Sequence, residues 1–447
     1  MLSRRAFLGT TAAAALAKAQ TRPAKPNVVF ILADDLGYGD LGCYGQTRIA
    51  TPNIDRLAAD GIRFTQAYAG STVCAPSRCC LMTGKHTGHA SVRGNKKPEL
   101  GLGKNEATLP ALLKSRGYKT ALFGKWGLGG FDVDSHPNDK GFDQFFGYLN
   151  QQHAHNSYPE HLWENKSEFF LPENWFDRQK TFSNDLFTDR ALKFIAAERA
   201  NPFFLYLTYT IPHADNERGT YTKNGMDAPD QGKYAKEPWP DVEKNFAAAI
   251  TRMDDQIGKL LAALDANGLR ENTLVIFTSD NGPHKEGNHD PNYFHSSGAV
   301  RGIKRDLYEG GIRVPAMASW KGRIQPGQTS DHAWAFWDVL PTLTELTGAA
   351  TPPKLDGLSF LPTLTGGKQR PHDYLYWEFH EGGFQQAVRQ GEWKLVRQLP
   401  KREIELFDLK TDLTESRNVA AQHPDVVAKL TPLFTSSRND NPQFPTK

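Results

Sequence analysis

Four short apolar runs constrain the fold of this chain more than any other feature. Val28–Leu32, Thr120–Phe123, Phe203–Thr208 and Thr273–Thr278 are apolar or β-branched at consecutive rather than alternate positions. A strand that is apolar on both faces must be covered on both faces, and amphipathic helices are the usual cover. Helical patterns of that kind lie between the runs, at 54–60, 109–116, 186–198 and 246–266. The alternation predicts an α/β unit, a large mixed, mostly parallel sheet sandwiched by helices. A Pro- and Gly-rich stretch at 348–371 closes this unit. Beyond it, short strand patterns at 373–377, 385–389 and 393–396, separated by turns at Gly382-Gly383 and Gln390–Glu392, precede a helical pattern at 424–436. They predict a small C-terminal antiparallel sheet with one helix. The expected division is therefore a catalytic unit at 20–350 and a linker with a small α+β unit at 351–447.

Residues 1–19 read as an address. Arg4-Arg5 precede an Ala-rich apolar stretch, Ala6–Ala17, and Ala17-Lys18-Ala19 has the A-x-A form of a cleavage site. Ser3-Arg-Arg-Ala-Phe-Leu8 resembles a twin-arginine export signal, which implies a bacterial protein of the periplasm or outside. Arg4, Arg5 and Lys18 account for the whole formal net charge of +3, so residues 20–447 are formally neutral. A neutral working chain presents no global basic field, and no nucleic-acid partner is expected. No segment reaches the roughly 18 uninterrupted apolar residues of a membrane span, so no integral membrane segment is expected.

Polar clusters stand where the apolar runs stop. Asp34-Asp35 follow the first, Gly124-Lys125-Trp126 the second, Ile211-Pro212-His213 the third and Asp280-Asn281-Gly282 the fourth. In open parallel sheets, ligands sit at the carboxyl ends of strands. Carboxylates converging with an amide oxygen suit a hard cation such as calcium or magnesium. A single Asp pair is more often a turn or a cap, but here two pairs each stand directly behind a strand.

Four cysteines in 447 residues, all between 43 and 80, exclude a disulfide scaffold. Whether Cys43, Cys79 or Cys80 pair is open, though adjacent Cys79 and Cys80 suit small apolar positions on a helix. Cys74-Ala-Pro-Ser-Arg78 reads as a loop entering a helix, with Pro76 near its first turn. Alone, Cys74 fits a thiolate nucleophile, which would require a paired histidine. The stretch 129–184 has no strong periodicity but holds His136, His153, His155, His161, Trp163 and Trp175. It reads equally as a binding loop and as a surface elaboration.

C-x-P-S-R followed by Leu81-Met-Thr-Gly84 resembles the signature of type I sulfatases. The resemblance extends over nearly the whole chain after the address, through Pro26–Asp35, Gly37–Asp40, Thr51–Asp55, Gly124–Trp126, Thr278–Gly282, Arg301–Lys304 and Leu307–Pro315. It implies an alkaline phosphatase-like fold and a sulfuric ester hydrolase acting on a sulfated carbohydrate. It also implies that Cys74 is converted to formylglycine by a formylglycine-generating enzyme, its hydrate being the nucleophile. The implied Ca2+ ligands are Asp34, Asp35, Asp280, Asn281 and modified Cys74. Arg78 would hold the hydrate, Lys125 and Lys304 the sulfate, and His213 would stand at the leaving oxygen. Where the family often has Gly-Lys-Trp-His, this chain has Gly127. His153, His155 and His295 are the expected candidates to fill the space and face the substrate. Two alternatives remain: a phosphate or phosphonate ester hydrolase, and a noncatalytic sulfated-glycan binder with Cys74 unmodified.

Overall fold

The computed structural model describes residues 25–130, 134–399 and 403–446; the address segment 1–19 lies outside the described residues. A ten-stranded sheet runs, edge to edge, through Gln328–Ser330, Ile62–Phe64, Ala316–Ser319, Thr273–Ser279, Asn27–Asp34, Phe203–Pro212, Lys119–Lys125, Gln144–Tyr148, His161–Glu164 and Ser167–Phe170. The stretch from Thr273–Ser279 to Gln144–Tyr148 is parallel throughout, and antiparallel strands flank it on both sides. All four apolar runs fall in this parallel centre, as their two-sided apolarity requires.

Alternation along Asn27–Asp34 divides the interior. Val28, Phe30 and Leu32 enter one core with the helices Cys74–Thr83, Leu109–Ser115 and Val339–Thr347. Val29, Ile31 and Ala33 enter the other, against Pro52–Ala59, Ser183–Ala197 and Asp241–Ala266. Burying one such aliphatic side chain stabilises the fold by about 1.5–3 kcal/mol before entropy is counted. The 129–184 stretch is not a bare loop: it contributes three strands that extend the sheet.

A separate antiparallel sheet follows, in the order Leu375–Phe379, Phe384–Gln390, Trp393–Leu399 and Ile404–Asp408. One face, with Trp377, Ala387, Val396 and Phe407, joins the core of the large unit. The other, with Tyr376, Val388, Leu395 and Leu406, is covered by Leu430 and Phe434. The single helix expected at 424–436 is two, Pro424–Leu430 and Leu433–Ser436. Pro432 cannot supply the backbone N–H that a continuous helix needs there. Trp377 Nε1 donates to the Ala69 carbonyl at 3.0 Å, and buried Lys394 lies 2.9 Å from both Glu309 and Glu415, tying the two sheets together. No helix among the described residues is long and apolar enough to cross a membrane.

Gly124 shows how closely the strand ends are drawn in. It stands at φ +118°, and a Cβ there would lie 1.8 Å from the Thr208 carbonyl oxygen. Gly124→Ala is expected to cost about 3 kcal/mol through strain and forced separation of the strands. A drop in the denaturant midpoint with an unchanged slope would show it.

Candidate active site

The carboxyl ends of the parallel strands converge on one buried charge cluster. Asp34 closes its strand; Asp35, at φ +67°, turns the chain back so that both carboxylates stay at the sheet edge. Asp280 and Asn281 follow Thr273–Ser279, the parallel neighbour. Asp35 N–H donates to Asp280 Oδ1 at 3.2 Å, and Asn281 Nδ2 donates to Asp35 Oδ1 at 2.7 Å. The two strand ends are thus locked in register.

Three cations neutralise the acids. Lys125 Nζ donates to Asp34 Oδ2 at 2.7 Å and Lys304 Nζ to Asp35 Oδ2 at 2.8 Å. Arg78 Nε donates to Asp280 Oδ2 at 2.9 Å, and its second arm donates to the Lys125 carbonyl at 2.6 Å. Burial alone would raise the Asp34 carboxyl, yet Lys125, His213 and Arg78 hold it well below the usual range. Asp280 is pushed up to about 7 by burial and by Asp34 beside it. Asp280 is thus the carboxylate of the cluster least settled as an anion, and a further cation beside it would favour its charged form.

The helix Cys74–Thr83 enters from the opposite side with all its residues buried. Cys74 opens it, and the Sγ donates to Asp34 Oδ1 at 3.2 Å. Burial and Asp34 push the thiol well above its ordinary value, so Cys74 is neutral as a thiol. A buried thiol against a carboxylate is a poor thiolate nucleophile, which argues against a cysteine-dependent hydrolase. Cys79 and Cys80 are buried on the same helix and, like Cys43 and Cys74, free.

His213 Nδ1 faces the Ala214 carbonyl at 2.8 Å, leaving Nε2 for Lys304 Nζ at 3.3 Å. Burial and Lys304 push its imidazole down to about 3, so it rests neutral. Lys304 also donates to Glu286 at 3.1 Å, and burial is outweighed by Asp35 and Glu286, which hold its ammonium well above the ordinary range.

Cys74, His213 and Lys304 line one cavity of about 200 Å³ with Glu99, Gln151, His155, Asn216, Glu286 and Arg305. A roomier cavity of about 420 Å³ near Asn53, Asp265 and Arg270 lies toward the amino ends of the strands and holds none of the expected catalytic, substrate or metal residues. His155 reaches the active cavity: its ring stacks on His213 at 4.9 Å, and Nδ1 contacts Glu217 at 2.9 Å. His153 packs instead against Tyr148 and His161, and His295 is exposed at φ +56° and does not line the cavity. Glu286, Glu99 and Gln151 carried no motif. Glu286 stood in reach of inference, a few residues past Asp280-Asn281, whereas Gln151 lay in the stretch without periodicity. His86 and His89 converge on Asp356, whose carboxylate accepts the His86 N–H at 3.0 Å and contacts His89 Nδ1 at 2.9 Å.

Donor chemistry at the strand ends tests the cation. Asp34, Asp35, Asp280 and Asn281 offer only oxygen, and Asn281 Oδ1 is buried without a hydrogen-bond partner. An orphaned buried acceptor beside carboxylates fits a hard cation.

Residues 26–349 match the Sulfatase family. The chain belongs to the sulfatase family. This sulfatase is a sulfuric ester hydrolase, and its residues 303–440 also match the C-terminal region of N-sulphoglucosamine sulphohydrolase. It is 32% identical to the Mus musculus N-acetylgalactosamine-6-sulfatase over 451 residues, spanning 95% of this chain and 82% of that one. Human arylsulfatase A is 35% identical over 412 residues, 83% of this chain and 74% of the relative. Among solved structures, Ps i-CgsB in complex with k-i-k-neocarrahexaose superposes with a TM-score of 0.78 at 26% identity, covering 93% and 94% of the two chains. A Bacteroides thetaiotaomicron protein, from a locus that orchestrates metabolism of multiple glycosaminoglycans, gives 0.75 at 27% identity over 92% and 99%.

Proposed function

We propose that this sulfatase removes sulfate from a sulfated carbohydrate, with Cys74, matured to formylglycine, as the nucleophile-bearing residue. The observation that carries the reading is Cys74 at the head of a buried helix, against Asp34, opening into the same cavity as His213 and Lys304. A relative named as an N-acetylgalactosamine sulfatase, and solved structures whose titles name a neocarrahexaose and glycosaminoglycan metabolism, support the carbohydrate.

Asp34, Asp35, Asp280 and Asn281, with matured Cys74, would hold Ca2+, which supplies Lewis-acid polarisation of sulfate oxygens. The hydrated aldehyde supplies a nucleophilic oxygen together with a second hydroxyl for release of the sulfate. The chain's own residues do the rest. Lys125 and Lys304 bind the sulfate and place fixed positive charge where charge develops on its oxygens. Arg78 braces Asp34 and Asp280. His213 and Lys304 share a proton opposite the leaving alcohol, and His155 stacks behind His213 to face the sugar.

General-acid assistance matters most for poor leaving groups. His213→Ala is expected to lower kcat about 10²–10⁴-fold on a sugar sulfate, and far less on an activated aryl sulfate. Equal losses on both would remove His213 from this role.

The division at 20–350 and 351–447, and export of a folded chain through the twin-arginine route to the periplasm or beyond, belong to the same proposal. Maturation by a formylglycine-generating enzyme would then precede export. The deciding experiment is a product screen on defined sulfated oligosaccharides, with matched aryl sulfate and aryl phosphate as controls. Release of sulfate from a sugar supports the reading; faster phosphate release with no sulfated sugar accepted would favour the phosphatase alternative.

A further inference from the structure

The cavity wall beside Lys125 is completed by a residue that no motif indicates. Gly127 stands two positions after Lys125 at φ +68°. A Cβ there would lie 2.5 Å from Gln151 Nε2 and 3.4 Å from Lys125 Cε. The space beside the lysine stem is therefore held by the Gln151 amide rather than by a side chain at 127. The atoms nearest that Cβ belong to Gln151 and Lys125, not to His153, His155 or His295.

Gln151 is built into place. Its backbone N–H is gripped by both carboxylate oxygens of Glu99, at 2.8 and 3.0 Å. Its Nε2 donates to the Gly127 carbonyl at 2.8 Å. The residue is only 9% exposed, yet it lines the same cavity as Cys74 and Lys304, and so does Glu99. An amide nitrogen has two N–H groups, and Gly127 takes one. The second is left for whatever enters.

We infer that Gln151, clamped by Glu99, hydrogen-bonds a sulfate oxygen alongside Lys125. The assignment rests on the sulfatase reading of this cavity. A neutral amide donates to the anion without titrating, so its contribution does not change with pH. Glu99, whose carboxyl burial holds above its usual range, is a positioning residue that acts through the Gln151 backbone.

The test measures binding of inorganic sulfate by calorimetry alongside kcat and KM for an aryl sulfate, across roughly pH 5 to 8. Gln151→Ala should weaken sulfate binding and kcat/KM by about ten- to a hundredfold, the worth of a hydrogen bond to a charged group, without reshaping the pH profile. Gln151→Glu, facing the anion with like charge, should lose about tenfold more. Gln151→His should recover part of the binding and bring a new ionisation near about pH 6.5 into kcat/KM. Glu99→Gln should fall between wild type and Gln151→Ala in sulfate affinity. Wild-type protein that binds and releases sulfate, with Gln151→Ala and Gln151→Glu both within about twofold of it in sulfate affinity, overturns this assignment alone. Wild-type protein that neither binds sulfate nor releases it overturns the sulfatase reading, and this assignment with it.

Discussion

Cys74→Ala is expected to abolish turnover, a loss of about 10⁴-fold or more in kcat, while leaving the fold intact. The side chain is small and buried, and its one hydrogen bond runs to Asp34, which Lys125 also holds. Stability should therefore change little, and near-UV circular dichroism should match the wild type. Cys74→Ser separates the chemical steps. A serine hydroxyl can attack sulfur but provides no second hydroxyl for release, so at most one equivalent of sulfate should be trapped on the protein. Sustained turnover by either variant would place the nucleophile elsewhere.

Arg78→Ala should cost both stability and rate. The guanidinium is fully buried between Asp280, at 2.8 Å, and Asp34, at 3.4 Å. Removing it leaves buried carboxylates short of a partner, which costs about 3–5 kcal/mol. It also removes the clamp to the Lys125 carbonyl, so the lysine proposed to bind the sulfate loses its brace. Turnover should fall by about 10²–10³-fold even where the protein remains folded, as for loss of one preorganised donor. Urea unfolding followed by single-turnover kinetics separates the two effects. Arg78→Lys should recover part of the stability and little of the rate, because an ammonium cannot reach Asp280, Asp34 and the carbonyl together. A variant with wild-type midpoint and rate would contradict the bracing role.

Legibility in the sequence followed physical necessity. Asp34-Asp35 and Asp280-Asn281 stood out because each follows a strand that must be apolar on both faces, and the same two strands turn out to be parallel neighbours. The outer strands were illegible. Ser167–Phe170 is mostly exposed and leaves no alternation to read, while Ile62–Phe64 and Gln328–Ser330 are too short to show a period. Ile404–Asp408, the fourth strand of the small sheet, follows the charged run Lys401-Arg402-Glu403, and its apolar signal is only Ile404, Leu406 and Phe407. In the site, Cys74, Arg78, Lys125, His213 and Lys304 came from motif and strand-end logic together. Glu99 and Gln151 did not, because a loop glutamine acquires meaning only when Gly127 leaves space for it in three dimensions.

The claim on which the rest depends is the chemical state of residue 74. Mass spectrometry of the peptide spanning Cys74, from protein made in its native host, tests it most directly. The account predicts the mass of the aldehyde or its hydrate at that residue. An intact thiol in that protein would contradict it and leave a binder of sulfated glycans in place of an enzyme.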